Sequence, residues 1–487
     1  MAKKITINPI TRLEGHGKIE IFLDDSGNVD DAYWQVVELR GFERFCLGRP
    51  AEELPRITPN ICGVCPSPHN MASMKALDDL YSVEPTPTAK LIRQLHYNAF
   101  MVEDHYIHFF FLSAPDFVLG PDADPAERNI LGVINKVGPE IGGKVIEVRK
   151  RCREIIKLIG SKPPHPEGCI PGGVSVRITQ EDRRWIKETA DEAVEFAQFT
   201  LKLFKRIVVA DDRYLNLILN DAYGLKTSYM GLVDENKKVN FYEGKLRVVD
   251  PSGKEFALFD PSRYVEHIGE WVEPWTYIRL THLKKIGWNG LNEDEGTSIY
   301  RVGPLARLNA AEGMATPLAQ AEYEEMYSTL GGKPSHHTLA FHWARLIEAL
   351  QAAEDMQRIA NDPLLTSRDT RNMNLKLKRV GIGCVEAARG TLIHHYETDD
   401  EGIATSINLI VATQHNAAPI CLSVKKAAAG FVKGPEVQEG LLNMVEMAFR
   451  AYDPCLACAT HTLPGQMPLE LNIRNRDGSL IRTVRRP

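Results

Sequence analysis

The chain has 487 residues, 44% of them hydrophobic, and a formal net charge of −6. This composition is sufficient for a large buried core and excludes the basic surface typical of nucleic-acid-binding proteins, so we expect no nucleic acid partner. No apolar run approaches the roughly 18 residues of a membrane-spanning helix, and the N-terminus lacks the apolar segment of a secretory signal, so we expect a soluble chain without a membrane span.

The predicted secondary structure begins with a β-hairpin and continues with long helices. Residues 5–38 alternate apolar and polar positions around the turn-like stretch Asp24-Asp25-Ser26-Gly27-Asn28, which predicts the hairpin. Apolar residues then recur at helical spacing and predict helices over 86–113, 126–160, 179–220 and 314–362. Amphipathic helices of this length favour a bundle-like core.

Strand-like segments interrupt and follow these helices. Residues 224–300 are rich in glycine, charge and aromatic residues, which predicts an irregular, mainly surface-exposed β insertion. Residues 377–412 are predicted to form strands, and a helix is expected around 435–450. Because we find no internal repeat or obvious linker, we expect one domain over 1–487. Its predicted fold class is α+β, mainly α, with a helical-bundle core and peripheral β-hairpins.

Four of the nine cysteines form two Cys-x-x-Cys pairs. The first pair is Cys62 and Cys65, and the second is Cys455 and Cys458. In such a loop both sulfurs can face one point, and thiolates bind soft metals. An odd number of cysteines in a long chain without a secretory signal argues against a disulfide framework. The other five cysteines are expected to be small buried hydrophobic residues.

The spacing alone leaves several interpretations of these pairs open. Structural zinc sites usually have their two pairs about 15–20 residues apart, whereas these pairs lie near opposite ends of the chain. A redox dithiol of the thioredoxin kind would need a βαβ context, which this sequence does not show. A shared metal site and two unrelated pairs are about equally compatible with the spacing.

Motifs along the whole chain resemble those of nickel–iron hydrogenase large subunits. The flanks of the cysteine pairs match the family patterns Ile-Cys-Gly-x-Cys-x-x-x-His and Asp-Pro-Cys-x-x-Cys-x-x-His. Further matching motifs follow in family order: Thr11-Arg12-Leu13-Glu14-Gly15-His16, Gly41-Phe42-Glu43, His165-Pro166, Pro171-Gly172-Gly173, Gly303-Pro304-Leu305-Ala306-Arg307, Glu386-Ala387-Ala388-Arg389-Gly390 and Thr413-Gln414-His415-Asn416. The resemblance implies the fold of that family and reversible, heterolytic cleavage of H2 to protons and electrons.

The resemblance implies that the cysteine pairs together bind a nickel–iron centre. Cys62 and Cys455 would be terminal nickel ligands, whereas Cys65 and Cys458 would bridge nickel and iron. Iron would also carry one carbon monoxide and two cyanides. Soft, anionic thiolates suit a nickel ion that changes oxidation state. A structural zinc site is the alternative for the same residues.

The resemblance also implies which residues act near the metals. Cleavage of H2 needs a base close to them, and the candidates are a terminal thiolate, Arg389 and Glu14. Glu14 matches the family glutamate that relays protons from Cys455, and Arg389 matches the arginine above the metals. Because arginine is effectively always protonated, binding a cyanide or a carboxylate suits Arg389 better than a role as base. Asp116 matches a carboxylate of the same group, which Asp453 is expected to join.

Two further roles follow from the resemblance. Thr413 matches the residue whose hydroxyl hydrogen-bonds a cyanide, and His69 matches the histidine that donates a hydrogen bond towards the bridging sulfur. Glu43, His461 and the Leu409 carbonyl match the ligands of a magnesium site that would hold the C-terminus against the core. Ordinary structural roles for these side chains are the alternative.

Large subunits of this family are made as precursors, and a dedicated maturation protease cuts after the histidine of the last motif. Here the cut would release residues 462–487. A permanent structural tail is the alternative, because residues 469–473 have the pattern of a strand.

The stretch 339–348 and the Cys-Ala-Thr-His of the last motif resemble the cytoplasmic, methyl-viologen-reducing (coenzyme-F420-non-reducing) hydrogenases. The resemblance implies a cytoplasmic complex that contains an iron–sulfur small subunit, together with further electron-transfer subunits such as heterodisulfide reductase. No glycine fingerprint for a nucleotide and no further cysteine set for a cluster can be placed in this chain. The alternatives are a hydrogen-sensing regulator and a respiratory-complex scaffold subunit. Regulators of this kind generally lack the extension, and the scaffold proteins lack the full cysteine set.

Overall fold

The computed structural model describes residues 3–434, 437–462, 469–475 and 479–486. Its α-helices are α1 Phe42–Cys46, α2 Leu54–Ile57, α3 Pro66–Leu80, α4 Pro87–Tyr106, α5 Ala114–Val118, α6 Ile130–Val137, α7 Pro139–Gly160, α8 Gln180–Phe204, α9 Asp212–Ile218, α10 Tyr264–His267, α11 Pro304–Ala310, α12 Pro317–Thr329, α13 Phe341–Asn361, α14 Ala412–His415, α15 Ala417–Phe431, α16 Glu439–Arg450 and α17 Leu456–Ala459.

The strands are β1 Lys3–Ile7, β2 Gly17–Leu23, β3 Val29–Val36, β4 Cys169–Ile170, β5 Gly173–Val174, β6 Ser228–Val233, β7 Lys245–Val249, β8 Glu255–Phe259, β9 Ile268–Val272, β10 Arg279–Leu283, β11 Tyr300–Arg301, β12 Val380–Ala387, β13 Gly390–Thr398, β14 Ala404–Ile410, β15 Leu469–Arg474 and β16 Leu480–Arg486. No helix within the described ranges is long and apolar enough to cross a membrane.

The long helices match the predicted segments, with breaks that the sequence explains. The segment 86–113 forms α4 and a π-helical turn at Ile107–Ser113, and Thr86 caps α4 by accepting a hydrogen bond from the Ala89 N–H at 3.2 Å. In the segment 126–160, Gly138 adopts a φ of 98° and Pro139 starts α7 directly after it. The segments 179–220 and 314–362 are likewise divided, into α8 and α9 and into α12 and α13.

The helical bundle is centred on α13, which packs against α4, α8, α11 and α12. Leu346 and Leu350 of α13 are buried, and so are its charged residues Arg345 and Glu348. A helix that is buried on nearly every side must satisfy its charges inside the protein. Glu348 does so by accepting two hydrogen bonds from Arg307, both at 2.6 Å.

Small sheets complete the architecture. β1, β2 and β3 form an antiparallel sheet in that order, which confirms the hairpin predicted for residues 5–38. β12, β13 and β14 form another, which confirms the strands predicted within 377–412. The turn between β12 and β13 has only two residues, Ala388 and Arg389, because Ala387 pairs with Gly390. This tight turn fixes the position of the Arg389 backbone.

The β insertion predicted at 224–300 contains β6 to β10, and part of it lies deeper than expected. β6 is buried along its whole length and packs against α11. A Cβ on Gly231 of β6 would lie 2.9 Å from the Cα of Arg307 in α11, so glycine permits this approach. The expectation of a mainly surface-exposed insertion therefore does not hold for β6, which has the pattern of a strand buried on both faces.

Two features of the fold bring distant segments together. α3 packs against β12 and β13, and the approach to β12 requires glycine, since a Cβ on Gly383 would lie 2.0 Å from the Ala72 carbonyl oxygen. The N-terminal segment also forms a parallel β-bridge between Glu14 and Cys455. Both contacts lie in one continuous apolar core, which contains residues from Ile7 to Ala459.

The C-terminal part follows the prediction where the structure describes it. The helix expected around 435–450 is α16, and residues 435–436 lie outside the described residues. The strand pattern of residues 469–473 is confirmed by β15, which pairs with β16 in an antiparallel hairpin.

Candidate metal centre

The sulfurs of the two cysteine pairs converge on one point. The Sγ atoms of Cys62, Cys65, Cys455 and Cys458 all lie within 4.8 Å of one another. The Cys62 and Cys455 sulfurs are 3.2 Å apart, and those of Cys65 and Cys458 are 3.1 Å apart. All of these side chains are buried. This is the only group of three or more candidate metal-ligating side chains found within the described part of the chain.

Local structure positions the first pair. Cys62 follows a 3₁₀ turn at Thr58–Ile61, and Cys65 directly precedes α3, whose first residue is Pro66. The N–H groups of Val64 and Cys65 point at the Cys62 sulfur, at 3.3 and 3.4 Å. Backbone N–H groups and a helix N-terminus both favour negative charge. The loop therefore favours a thiolate at Cys62, whereas the pKa of Cys65 is raised to about 11.

The second pair is held by two distant segments. The Cys455 N–H donates to the Thr413 hydroxyl oxygen at 2.9 Å. The Ala457 N–H donates to the Glu14 carboxylate at 3.0 Å. Gly15 adopts a φ of 85°, and a Cβ there would lie 2.8 Å from the Cβ of Leu456, so glycine is required for this approach.

The electrostatics of the four cysteines favour a bound cation. Hydrogen bonds from Cys455, Cys458 and Cys65 hold the pKa of the Cys62 thiol well below its usual value. Burial raises the pKa of Cys455 and Cys458 well above theirs. Without a cation, only part of the cluster can lose its protons, because like charges at this separation repel. A metal that neutralises these thiolates therefore fits the site, whose soft donors suit nickel and iron.

Glu14 lies close enough to the cluster to be affected by it. Burial raises the pKa of this carboxyl, and the negative charge of Cys62 raises it further. The parallel bridge with Cys455 and the bond from Ala457 place the carboxylate beside the second cysteine loop. The position suits a group that exchanges a proton with the cluster.

Arg389 is buried between two carboxylates. Its Nη1 lies 3.2 Å from Oδ2 of Asp104, and its Nη2 lies 3.1 Å from Oδ2 of Asp453. Burial lowers the pKa of Arg389, but the two carboxylates outweigh this and hold it well above its usual value. Burial raises the pKa of Asp453 to about 7. Arg389 therefore remains a cation, and its geometry is that of an ion-pairing residue and not of a base.

Asp116 does not lie where the family pattern placed it. Its carboxylate pairs with Arg12 at 2.5 Å and with Arg450 at 2.7 Å. It also accepts a hydrogen bond from Asn443 at 3.1 Å. Burial raises the pKa of Asp116, but the two arginines outweigh this and lower it. Among the described residues, the carboxylates paired with Arg389 are Asp104 and Asp453, so Asp104 takes the position expected for Asp116.

A small, mainly apolar cavity adjoins the sulfurs. Apart from cysteines, its polar lining side chains are those of His69, Arg389 and Thr413. The Thr413 oxygen accepts from the Cys455 N–H, so its O–H is free to donate. The Nε–H of Arg389 has no partner among the described residues. The remaining residues that line the cavity are Cys65, Pro68, Ala387, Leu392, Val411, Ala412, Cys455 and Cys458. Small acceptor ligands in an apolar surrounding fit this lining.

His69 extends from α3 to the second cysteine pair. Its Nε2 lies 3.4 Å from the Cys458 sulfur, and its Nδ1 lies 3.2 Å from Nε2 of His394. His394 in turn contacts the Tyr396 hydroxyl at 2.6 Å. Burial lowers the pKa of His69 to about 4, so its ring is neutral near pH 7. The position is the one that the resemblance predicted for a donor to the bridging sulfur.

The three groups predicted to bind magnesium also meet. The Glu43 carboxylate accepts from the Leu409 N–H at 2.8 Å and lies 3.6 Å from Nε2 of His461. Nε2 of His461 lies 2.5 Å from the Leu409 carbonyl oxygen, and its Nδ1 lies 2.6 Å from the Cys458 carbonyl oxygen. A neutral imidazole has one N–H, so only one of these carbonyls can accept from it. A cation among these groups would remove the conflict.

Sequence reasoning missed Asp104, His394 and Tyr396. Asp104 stands next to a glutamate near the end of α4, which is buried along most of its length, and adjacent charges on such a helix are a signal that could have found it. His394 and Tyr396 alternate along β13 and so share one face of the strand. No local pattern indicates that this face meets α3. The remaining cysteines are buried, as predicted.

Known proteins share this arrangement of sequence and fold. The family model described as nickel-dependent hydrogenase matches residues 40–131 and 295–461, and one described as HoxL-like matches residues 4–39. The chain is 48% identical to an iron-sulfur subunit of the F420-non-reducing hydrogenase of Archaeoglobus profundus, over 99% of both chains. It is 38% identical to a subunit of the F420-non-reducing hydrogenase of Methanothermobacter marburgensis, over 99% of this chain and 100% of the relative.

A solved structure is similar as well. The crystal structure of an NAD+-reducing NiFe-hydrogenase in the H2-reduced state superposes with a TM-score of 0.88 at 37% sequence identity. The match covers 94% of this chain and 99% of that one.

Proposed function

Because this chain belongs to the nickel-dependent hydrogenase family, as the catalytic large subunit of an oxidoreductase that acts on H2, we propose a role for each metal ligand. Cys62 and Cys455 bind nickel terminally, and Cys65 and Cys458 bridge nickel and iron. The convergence of the four sulfurs carries this proposal. Cys65, Cys455 and Cys458 also line the apolar cavity, so a metal in the cavity would lie beside both proposed bridging sulfurs.

The cavity supports a diatomic ligand set of one carbon monoxide and two cyanides on the iron. Cyanide accepts hydrogen bonds, and the free O–H of Thr413 and the unpartnered Nε–H of Arg389 offer them. The apolar remainder of the lining suits carbon monoxide. When bound, the nickel–iron pair polarises H2 and takes up its electrons.

Glu14 receives the proton in this proposal. Its carboxylate lies beside the second cysteine loop, and its raised pKa lets it hold a proton closer to neutral pH than an ordinary glutamate does. Arg389 does not compete as a base, because Asp104 and Asp453 keep it protonated. Its role is to hold a positive charge and hydrogen-bond donors over the cavity.

We also propose that Glu43, His461 and the Leu409 carbonyl bind magnesium. The buried carboxylate and the two carbonyl contacts of His461 support a cation here. The Glu43 N–H donates to the His461 carbonyl at 3.0 Å, so the same site joins the N-terminal part of the fold to the last motif. The cation would stabilise that connection.

Electrons would leave through the loop of the first cysteine pair. Gly63, between Cys62 and Cys65, is exposed. Val37 and Leu39 are 40% and 46% exposed, and the side chain of the neighbouring Arg40 donates to the Asn60 carbonyl at 3.3 Å. An exposed apolar patch next to a buried metal site suits a protein interface. We propose that an iron–sulfur small subunit docks here.

The enzyme type and the further electron-transfer subunits are proposed from the names of the relatives. Two of them are named as parts of F420-non-reducing hydrogenases. This supports a methyl-viologen-reducing enzyme that passes electrons to further subunits such as heterodisulfide reductase. A cytoplasmic location stays a prediction.

We propose that residues 1–487 form one domain and that a maturation protease removes its C-terminal extension, residues 462–487. The match to the nickel-dependent hydrogenase model ends at residue 461, which supports this boundary. Mass spectrometry of the active enzyme tests it, and a chain that still carries residues 462–487 would refute the cut.

Infrared spectroscopy with elemental analysis tests the metal centre. We expect carbon monoxide and cyanide stretches together with nickel and iron in the purified complex. Cys62→Ser and Cys455→Ser should abolish nickel retention and turnover, because a serine hydroxyl is a poor ligand for a soft metal. Cys421→Ser is the matched control, since Cys421 is buried outside the cluster. A lone zinc in the wild type would refute the assignment.

Steady H2-dependent reduction of methyl viologen separates the enzyme from a hydrogen sensor or a scaffold protein. We expect sustained turnover. A protein that holds both metals but shows only trace turnover would instead support the sensor.

A further inference from the structure

A chain of buried hydrogen bonds leads from the Cys458 sulfur into the protein. His69 Nε2 lies 3.4 Å from this sulfur, and His69 Nδ1 lies 3.2 Å from His394 Nε2. His394 Nδ1 lies 2.6 Å from the Tyr396 hydroxyl, which lies 2.8 Å from the Ser73 hydroxyl. Each of these residues except Cys458 is at most 1% exposed. We call His69, His394, Tyr396 and Ser73 the sulfur relay.

The periodicities of a helix and a strand create the sulfur relay. His69 and Ser73 are four residues apart in α3 and therefore share one face of that helix. His394 and Tyr396 are two residues apart in β13 and share one face of the strand. Because α3 packs against β13, the two faces meet and the relay returns to the helix one turn after it left.

The proton positions in the sulfur relay are constrained, because each of its side chains carries a single exchangeable proton. His394 is fully buried, and its ring nitrogens contact the uncharged His69 ring and the Tyr396 hydroxyl, with no carboxylate partner among the described residues. Its ring is therefore neutral and has a single N–H. Burial raises the pKa of the Tyr396 hydroxyl, which stays protonated. Each side chain of the relay thus has one proton that it can donate and one atom that can accept a hydrogen bond.

The bridging sulfur then sets the direction. A metal-bound cysteine is a thiolate and can only accept a hydrogen bond. His69 must therefore carry its proton on Nε2, which leaves Nδ1 bare. Nδ1 can only accept, so His394 must donate from Nε2 and receive at Nδ1 from the Tyr396 O–H. The Tyr396 O–H, which donates to Ser73 in this structure, must therefore turn to His394 when Cys458 is a thiolate, and Tyr396 can then accept from Ser73. With a thiolate at Cys458, this is the one assignment of the protons that leaves every contact of the relay with one donor and one acceptor.

We propose that His394 and Tyr396 are positioning residues that keep the N–H of His69 directed at the Cys458 sulfur. The hydrogen bond would lower the electron density that this sulfur donates to the metals. The inference rests on the proposed function, in which Cys458 bridges nickel and iron. A partner that fixes the tautomer of a residue in contact with a metal ligand tunes the metal without touching it.

Infrared spectroscopy of the purified complex tests the relay. His394→Leu removes the donor to His69, so the His69 proton can move to Nδ1 and the sulfur loses its hydrogen bond. A more electron-rich sulfur increases back-donation to carbon monoxide, so we expect its stretch to shift to lower wavenumber. His69→Leu should shift it in the same direction. His394→Gln, which keeps an N–H donor, should restore the wild-type frequency.

Two further variants separate the relay from a general packing role. Tyr396→Phe keeps the ring and removes only the hydroxyl, so it should shift the stretch in the same direction without disturbing the fold. Tyr264→Phe is the matched control, because its hydroxyl contacts Nδ1 of His395 at 3.0 Å, and His395 lies on the other face of β13. This control should leave the stretch unchanged.

The double variant His69→Leu/His394→Leu decides whether the two residues act in series. If His394 acts only through His69, the double variant has the frequency of His69→Leu alone. Additive shifts would overturn the inference. So would a shift in His69→Leu with none in His394→Leu and Tyr396→Phe.

Nickel retention gives a second readout, independent of turnover. Loss of such a supporting contact should make nickel leave about 10-fold faster under a chelator challenge in His394→Leu but not in His394→Gln. Equal retention in both variants would overturn the inference. A wild type without carbon monoxide and cyanide bands would instead refute the proposed iron ligands, and this chelator experiment would still test the relay.

Discussion

The carboxylate of Glu14 accepts a hydrogen bond from the Ala457 N–H at 3.0 Å, inside the loop that joins Cys455 to Cys458. The Glu14 carbonyl also accepts from the Leu456 N–H at 3.1 Å. The N-terminal segment is thus bound to the second cysteine loop through both the main chain and the side chain of one residue. This contact places a titratable group beside the metal centre and holds it there.

We expect Glu14→Gln to retain both metals and to slow proton exchange. The glutamine oxygen can still accept from Ala457, so the loop should keep its position. The amide cannot carry the proton, and a positioned acid or base contributes about 100-fold or more to rate. Exchange between H2 and D2O, measured with nickel content, checks this.

Glu38→Gln is a suitable control for Glu14→Gln, because Glu38 pairs with the exposed His16. It should leave exchange unchanged. An unchanged exchange rate in Glu14→Gln would remove Glu14 from the proton route.

We expect Arg389→Lys to reduce turnover strongly while the metals are retained. The guanidinium contacts Asp104 through Nη1 and Asp453 through Nη2. A lysine ammonium is a single point of charge and cannot bridge both carboxylates with the same geometry. Turnover measured per bound nickel checks this. Wild-type turnover would show that a positive charge alone suffices.

The assignment of Asp104 in place of Asp116 predicts different effects for two otherwise similar substitutions. Asp104→Asn should lower turnover per bound nickel, because it weakens the pairing of Arg389. Asp116→Asn should leave turnover per bound nickel close to wild type in the folded fraction, because its partners are Arg12 and Arg450. The reverse outcome would restore Asp116 to the group around Arg389.

Asp116→Asn should nevertheless destabilise the protein. It leaves the largely buried Arg12 without its carboxylate and Arg450 with Glu446 alone, and breaking a buried pair in this way costs about 3 kcal/mol or more. A denaturant titration measures the loss. Asp400→Asn is the control, because it breaks an exposed pair with Arg379 and should have no measurable effect.

The same pair gives a pH dependence with a defined sign. The pKa of Asp116 is lowered in the folded protein, so its contribution is complete above the unfolded value of about 3.9. That contribution is lost as the pH falls through the lowered pKa. The stability difference between wild type and Asp116→Asn should therefore be constant near neutral pH and shrink only in strong acid. A difference that changes between pH 5 and pH 8 would contradict this.

We expect Glu43→Gln to remove magnesium while nickel and iron remain. An amide oxygen is a neutral, weaker ligand than a carboxylate for a hard cation. Because Glu43 also joins His461 to the core, the thermal unfolding midpoint should fall. Elemental analysis with a thermal melt checks both effects. Glu53→Gln, at an exposed position shortly after Glu43 in the chain, should change neither the magnesium content nor the unfolding midpoint.

The sequence predicted the four cysteines that converge and the reaction class, and this has a local cause. In a Cys-x-x-Cys loop the spacing alone lets both sulfurs face one point, and the helix that begins at Pro66 follows directly. Other short motifs of the chain match the same family pattern at Glu14, Arg389 and Thr413. Each of these positions is specified by a short motif, so a single sequence is enough to find it.

The pairing of Arg389 could not be predicted in the same way. Asp104 lies near the end of α4, and Asp116 lies in α5, with a π-helical turn at Ile107–Ser113 between them. A π-helical turn inserts a residue into the helical repeat and rotates the following side chains to another face. Periodicity therefore cannot tell which of the two carboxylates faces Arg389.

By itself, then, the sequence determined which four sulfurs are the candidate metal ligands and to which reaction class the chain belongs, because ligand type and spacing are local properties of the chain. Only the tertiary structure decided that Asp104 and Asp453 pair with Arg389 and that His394 and Tyr396 extend His69. These contacts join helices and strands far apart in the chain. Their existence depends on how the faces of those elements pack, which no short stretch of sequence encodes.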